Sequence, residues 1–316
     1  MDLLSTLGSS FNEYELKANE IAAKGDQDLF LSILEQDYKF SEAIEELKNC
    51  LFETNDFNTN IGYFSLENWE NGTEGLIGDA WFNFVQFVKK VVRTIRTALN
   101  HFFSGMTLRL KYMESMKVKL HNVRELNIME FSGTITPAYT KNDFIDLFRG
   151  LESVRRTLNS LFMKQDFDID GIMEFRNYGI TFVNGAINKD IGNDMKSTVF
   201  DLGYKQDASK EIGKLGWTID AIPGVLDRLI EFVKYDLSKD YDYVKFQSAM
   251  DRLIRNHENS AKTDWDEIRR LTNIAKTISA MVSYNATTVW KMSKQMVTML
   301  KALEKPIPEQ RSSEVF

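Results

Sequence analysis

Only four prolines interrupt the 316 residues of this chain, and two of them, Pro306 and Pro308, stand in its last eleven positions. Proline lacks the amide donor that a helix interior needs, and its ring clashes with the preceding turn at a cost of about 3 kcal/mol. Between Pro137 and Pro223, and again from there to Pro306, helix formers run on without that breaker. A chain so composed is steered toward long helices.

Apolar periodicity places those helices. Phe11, Tyr14, Ala18 and Ile21 keep helical spacing up to Gly25, and Phe30, Ile33, Leu34, Tyr38, Ile44, Leu47 and Leu51 resume it. The strongest stripe lies within Asp79–Phe103, on Trp81, Phe84, Val85, Val88, Val91, Val92, Ile95, Leu99, Phe102 and Phe103, with Lys89, Lys90, Arg93 and Arg96 on the opposite side. Ten large apolar residues at ~1.5–3 kcal/mol each make that face worth on the order of 20 kcal/mol gross, before entropy. It must therefore meet a core, a partner or a membrane. Gly105 is expected to interrupt this helix before it continues from Leu108 to Leu126 with Arg109, Lys111, Lys117 and Lys119.

Further helices are expected over 140–162, 221–235, 241–257 and 265–303. In the last, Ile268, Leu271, Ala275, Ile278, Val282, Val289, Met292 and Met296 approximate a coiled-coil seam. Ile128–Tyr139 alternates around Gly133 as a short strand or hairpin would. The Gly- and Asn-rich residues 171–203 carry no period and read as irregular. The expected fold is mainly α, an elongated multi-helix bundle with a long C-terminal helix and room for one short β-hairpin.

Charge divides the chain. Residues 1–67 hold 14 acidic side chains and four basic ones, a formal −10, whereas the whole chain is −7, so residues 68–316 carry +3. An acidic helical leader (1–67), a basic amphipathic region (68–126), a helical body (127–305) and a polar tail (306–316) follow as the expected units. Residues 54–62, rich in Asn, Thr and Asp, read as an exposed linker, the usual place for proteolysis.

Chemistry-bearing motifs are few. One cysteine, Cys50, rules out an internal disulfide framework and suits a reducing compartment, and three histidines are too scattered for a His-based metal cluster. Neither a Gly-x-Ser-x-Gly elbow, nor His-Glu-x-x-His, nor a phosphate-binding Gly loop occurs, so no enzymatic activity and no cofactor are expected. Asp166-Phe167-Asp168-Ile169-Asp170-Gly171 copies the first half of a calcium loop. Counting from Asp166, however, position twelve is Asn177 where a bidentate Glu is required, so a polar turn is favoured over a site at Asp166, Asp168 and Asp170. No apolar run reaches the ~18 residues of a membrane span, and Met1-Asp2-Leu3-Leu4 lacks the basic start of a secretory signal.

The stretch Glu70-Asn71-Gly72 followed by Trp81-Phe82-Asn83-Phe84-Val85-Gln86-Phe87-Val88-Lys89-Lys90-Val91-Val92-Arg93 resembles internal head proteins of large tailed bacteriophages. In those families a prohead protease removes an N-terminal propeptide after a small residue, any residue and Glu. Ser65-Leu66-Glu67 before Asn68 matches that pattern at the charge step, and Ser312-Ser313-Glu314 matches it near the other end. The resemblance implies a non-enzymatic structural protein of the capsid interior, present in host cytoplasm during assembly and cleaved after Glu67. Its implied partners are other capsid proteins, the prohead protease and packaged DNA, met weakly through Lys89, Lys90, Arg93 and Arg96. Removing an acidic leader as DNA enters would end like-charge repulsion, and until then the leader's helices could cover the apolar face. The alternative is a helical protein that acts on membrane surfaces through the 79–103 face.

Overall fold

The computed structural model describes residues 3–52, 73–123, 134–135, 139–163, 210–211, 215, 217, 220–238, 241–258 and 265–303. Within them the chain is mainly α. Seven helices follow in order: α1 (Leu3–Lys24), α2 (Asp26–Phe52), α3 (Thr73–Val123), α4 (Lys141–Met163), α5 (Ala221–Ser238), α6 (Tyr241–Glu258) and α7 (Trp265–Leu303). Two strands of two residues each, β1 (Thr134–Ile135) and β2 (Lys210–Glu211), pair antiparallel.

Local chemistry sets the helix ends. Gly25 separates α1 from α2 at a φ of 126°, a conformation open to glycine and strained for a residue with a Cβ. Asp26 and Asp28 then sit in the first turn of α2, where the helix dipole favours negative charge. Thr140 starts α4 with a reciprocal cap: its Oγ1 accepts from the Asp143 amide at 3.2 Å, and its own amide donates to the Asp143 carboxylate at 2.7 Å. Pro223 lies in the first turn of α5, where a missing amide costs no intrahelical bond.

Two expectations need correction. Gly105 does not interrupt the central helix, because α3 runs unbroken for 51 residues, about 76 Å at 1.5 Å per residue. Glycine costs a helix only about 1 kcal/mol relative to alanine, and here the missing side chain makes room for the Trp290 ring of α7. A Cβ on Gly105 would lie 2.3 Å from Trp290 Cη2 and 2.6 Å from Cζ3. The strand expected within 128–139 does form, but its partner lies at 210–211 and not in a local hairpin. Tyr139 lies buried four residues after β1. Its carbonyl accepts from Trp217 Nε1 at 2.9 Å and from Gln295 Nε2 at 2.7 Å, while its amide donates to Gln295 Oε1 at 2.8 Å. These bonds fasten Tyr139, just before α4, to α7 and to Trp217.

The core is continuous from the leader to the C-terminal helix. Leu29, Ile33, Phe40, Leu47 and Leu51 of α2 pack in the same cluster as Phe84, Val88 and Phe102 of α3 and Met292 and Met296 of α7. Among the described residues α2 lies along α3 more extensively than any other pair of elements meets. The expected division between a leader and a body is therefore not a division of the core. Instead α2 shares with α7 the covering of the apolar side of α3.

In α7 the predicted seam residues are buried apart from the partly buried Val282, but so are Ser279, Ser283, Thr288, Ser293 and Gln295 between them. A helix enclosed on nearly every side is a central helix, not one strand of a coiled coil with a solvated back. Ser279 and Ser283 suit that position by bonding within the helix, to the Ala275 carbonyl at 2.6 Å and the Ser279 carbonyl at 2.8 Å, whereas Thr288 Oγ1 meets no partner among the described residues.

Gly105→Ala should destabilise the protein by about 1–3 kcal/mol through overpacking against a rigid ring, despite its better helix propensity. Gly224→Ala, in α5 with nothing within 4 Å of the new Cβ, should stabilise by about 0.5–1 kcal/mol. Urea unfolding followed by circular dichroism separates the two, and equal effects at both sites would remove the steric role of Gly105.

Candidate functional site

Along α3 the basic residues fall into two groups with different surroundings. Lys89, Lys90, Arg93 and Arg96 occupy one side of the first half, and all four are exposed. The opposite side, with Ala80, Phe84, Val88, Val91, Ile95, Ala98 and Phe102, is buried. The seven helical steps from Lys89 to Arg96 make the cationic row about 10 Å long. None of its four charges makes an ion pair among the described residues.

The second half differs. Arg109 is fully buried, and its guanidinium ties three helices together. Nη2 forms an ion pair with Asp37 of α2. Nη1 donates to the Trp290 carbonyl at 2.8 Å and to Ser293 Oγ at 2.6 Å, both on α7. The guanidinium carbon lies 4.0 Å from the centre of the Trp290 ring, which stacks on Phe40 of α2 at 4.1 Å. Nε finds no acceptor among the described residues. Burial lowers the Arg109 pKa to about 10, with the Asp37 carboxylate opposing the shift, so the group stays charged at neutral pH.

Around this clasp other leader acids meet body bases. Glu15 lies 3.7 Å from Lys111, Asp26 pairs with Lys119, and the second Asp37 oxygen is 4.0 Å from Lys294. Exposed pairs of this kind contribute about 0–1 kcal/mol each, so they orient the leader more than they hold it. Apolar contact does the holding. Five large α2 side chains in the core correspond to roughly 10 kcal/mol gross, before ordering costs.

Periodicity could have revealed the Arg109 site. Arg109 stands on the stripe Phe102, Met106, Met113, Met116 and Leu120, and Asp37 stands on the stripe Leu29, Ile33, Phe40 and Leu47. Opposite charges at core positions of two helices mark a buried pair. Counting Arg109 with the bases of a cationic helix misses it.

The cleavage residues Ser65, Leu66, Glu67 and Asn68, and the calcium-like Asp166, Asp168 and Asp170, lie outside the described residues. So do the linker 54–62, residues 171–203 and the tail 306–316. Among the described residues no group of three or more His, Cys, Asp or Glu side chains is placed to hold a metal ion. A cleft of about 60 Å³ between Phe102, Phe103, Tyr243 and Asn285 falls well short of the ~300 Å³ typical of small-molecule sites. No described helix is long and apolar enough to cross a membrane. The face on which the membrane-surface reading relies is buried in this fold, in one cluster with side chains of α2 and α7. No protein-family model, curated protein or solved structure matches the chain.

Removing one partner of a buried ion pair typically costs about 3–5 kcal/mol, and Asp37 keeps a narrow edge to solvent. Asp37→Ala should therefore cost about 3 kcal/mol in urea unfolding, and the double variant Asp37→Leu/Arg109→Met should regain most of it. If the double variant is no better than Asp37→Ala, an unmet charge is not the source of the loss.

Proposed function

We propose that this chain is a non-enzymatic structural protein of a phage virion interior, made as a precursor and processed after Glu67. One observation carries the reading: the acidic leader docks on the body and engages Arg109, Lys111 and Lys119, yet leaves Lys89, Lys90, Arg93 and Arg96 open to solvent. A protein that shares a closed space with DNA benefits from such a division. The leader's charge is spent largely within the fold and on the outer face of α2, while the open row meets phosphates at a modest, salt-sensitive affinity.

The outer surface of the leader supports contact with other capsid-interior proteins. Leu31, Leu34 and Tyr38 of α2 recur at helical spacing with 56%, 46% and 67% of their surface exposed. Side chains of this size on an outward face are suited to a neighbouring helix. The prohead protease is the partner that the Ser65-Leu66-Glu67 triplet supplies.

Two measurements test the reading. Intact mass of the particle-associated protein should give a fragment beginning at Asn68, and full-length protein there would count against processing. Binding of the purified protein to short duplex DNA should weaken roughly a hundredfold between about 50 and 200 mM salt, as four phosphate contacts require. Replacing Lys89, Lys90, Arg93 and Arg96 together by Gln should flatten that dependence, and an unchanged salt slope would remove this face from the contact.

A further inference from the structure

We propose that the leader is not shed by cleavage: cut after Glu67, residues 3–52 stay seated along α3 and α7 as a second, non-covalent chain. This rests on the processing reading for the cut itself, but its evidence is the packing of α1 and α2.

The seat is built like a permanent interface. At its centre Phe40 stacks on Trp290 and tilts against Phe102, with ring centroids 4.1 Å and 6.0 Å apart. Nearby, Phe30 lies 6.2 Å from Tyr112, and Lys301 sits 5.3 Å from the Phe30 ring. The Gln36 Cβ closes over the Gly105 notch, 3.2 Å from where a side chain there would begin. Ion pairs from both leader helices surround this apolar centre, at Glu15, Asp26 and Asp37. A desolvated centre inside a charged rim is the anatomy of a stable protein–protein interface.

Departure would leave both pieces worse than before. Arg109 sits at 0% exposure between α3 and α7, and Asp37 is its only carboxylate partner among the described residues. Losing that carboxylate strands a charge in a low-dielectric site. The leader would in turn expose Leu29, Ile33, Phe40, Leu47 and Leu51 together, with α1 the one other described element of the leader. Nothing in breaking one peptide bond offsets either loss. The cut therefore converts a contact independent of concentration into a bimolecular one, without removing the leader's charge from the particle.

Cys50 reports the docked state. It is the single cysteine of the chain, lies on α2, is 3% exposed, and its thiol is held protonated by burial. The test uses the full chain with a site-specific protease sequence inserted between Glu67 and Asn68. After cutting, both fragments should elute together under native conditions. Cys50 should react with a thiol reagent as slowly as in the intact protein, and at least a hundredfold faster in urea. A leader that elutes alone with a rapidly reacting Cys50 would overturn the inference. Asp37→Asn, close to isosteric, should speed labelling at least tenfold in the cut protein but much less in the uncut one; equal rates would remove Asp37 from the seat. If the inserted sequence resists the protease, the processing reading fails instead. Retention is then decided by producing residues 1–67 and 68–316 together as separate chains, where co-elution supports it and separation overturns it.

Discussion

A guanidinium without access to water must be met on several sides at once, and Arg109 imposes that condition on the whole bundle. Asp37 arrives from α2, and the Trp290 carbonyl and Ser293 hydroxyl arrive from α7, so three helices have to reach their final register together. An apolar stripe alone tolerates sliding by a turn, because one leucine replaces another at small cost. A buried charge does not. Its net contribution to stability is modest after desolvation, and its larger effect is to select one alignment among several apolar ones. The Gly105 notch works in the same direction, since the Trp290 ring fits against α3 only where no side chain stands.

This register explains why the acidic leader and the basic helix are not simply opposites that attract. Attraction between exposed charges fades beyond about 10 Å in ordinary salt, and each exposed pair is weak. The leader is placed by one buried pair and a run of apolar contacts, and its remaining acids decorate the result. Along α3, Arg109, Lys111 and Lys119 pair with leader acids, Lys117 meets Asp227 of α5 at 2.7 Å, and Lys89, Lys90, Arg93 and Arg96 are exposed to solvent. A single helix thus carries an internal charge, a bridging group and an open row, separated by its own turns.

The helices were legible in the sequence because each keeps an apolar period over many turns, and proline seldom breaks it. Boundaries over 221–238, 241–258 and 265–303 differ from the sequence reading by only a few residues, as terminal turns commonly do. Less legible was how the elements share their faces. Gly105 reads as a breaker when only local propensity is weighed, and its role appears once Trp290, 185 positions further on, is placed against it. Arg109 reads as surface because Lys/Arg residues usually are, although its position on the Phe102–Met106–Met113 stripe placed it inward. The β1–β2 pairing and the Tyr139–Gln295 contact join residues far apart in the chain and leave no local period. Of the candidate site, the exposed row was legible and the clasp was not.

Composition can suggest that an oppositely charged segment is removable, but charge asymmetry does not measure how a segment is held. A segment leaves only if both surfaces it uncovers are acceptable to water. For α2 the uncovered surfaces would be a row of large apolar side chains on one piece, and Trp290, Phe102 and a bare guanidinium on the other. Among the described residues neither has a second element in reach that could close over it. The leader's acidity then serves two purposes at different depths: at Asp37 it neutralises a charge in the core, and at Glu35, Glu42, Glu45 and Glu46 it keeps the outer face of α2 in water. Cutting the chain beyond α2 alters neither, so the electrostatics of the particle interior would be set by where the leader sits rather than by whether its peptide bond is intact.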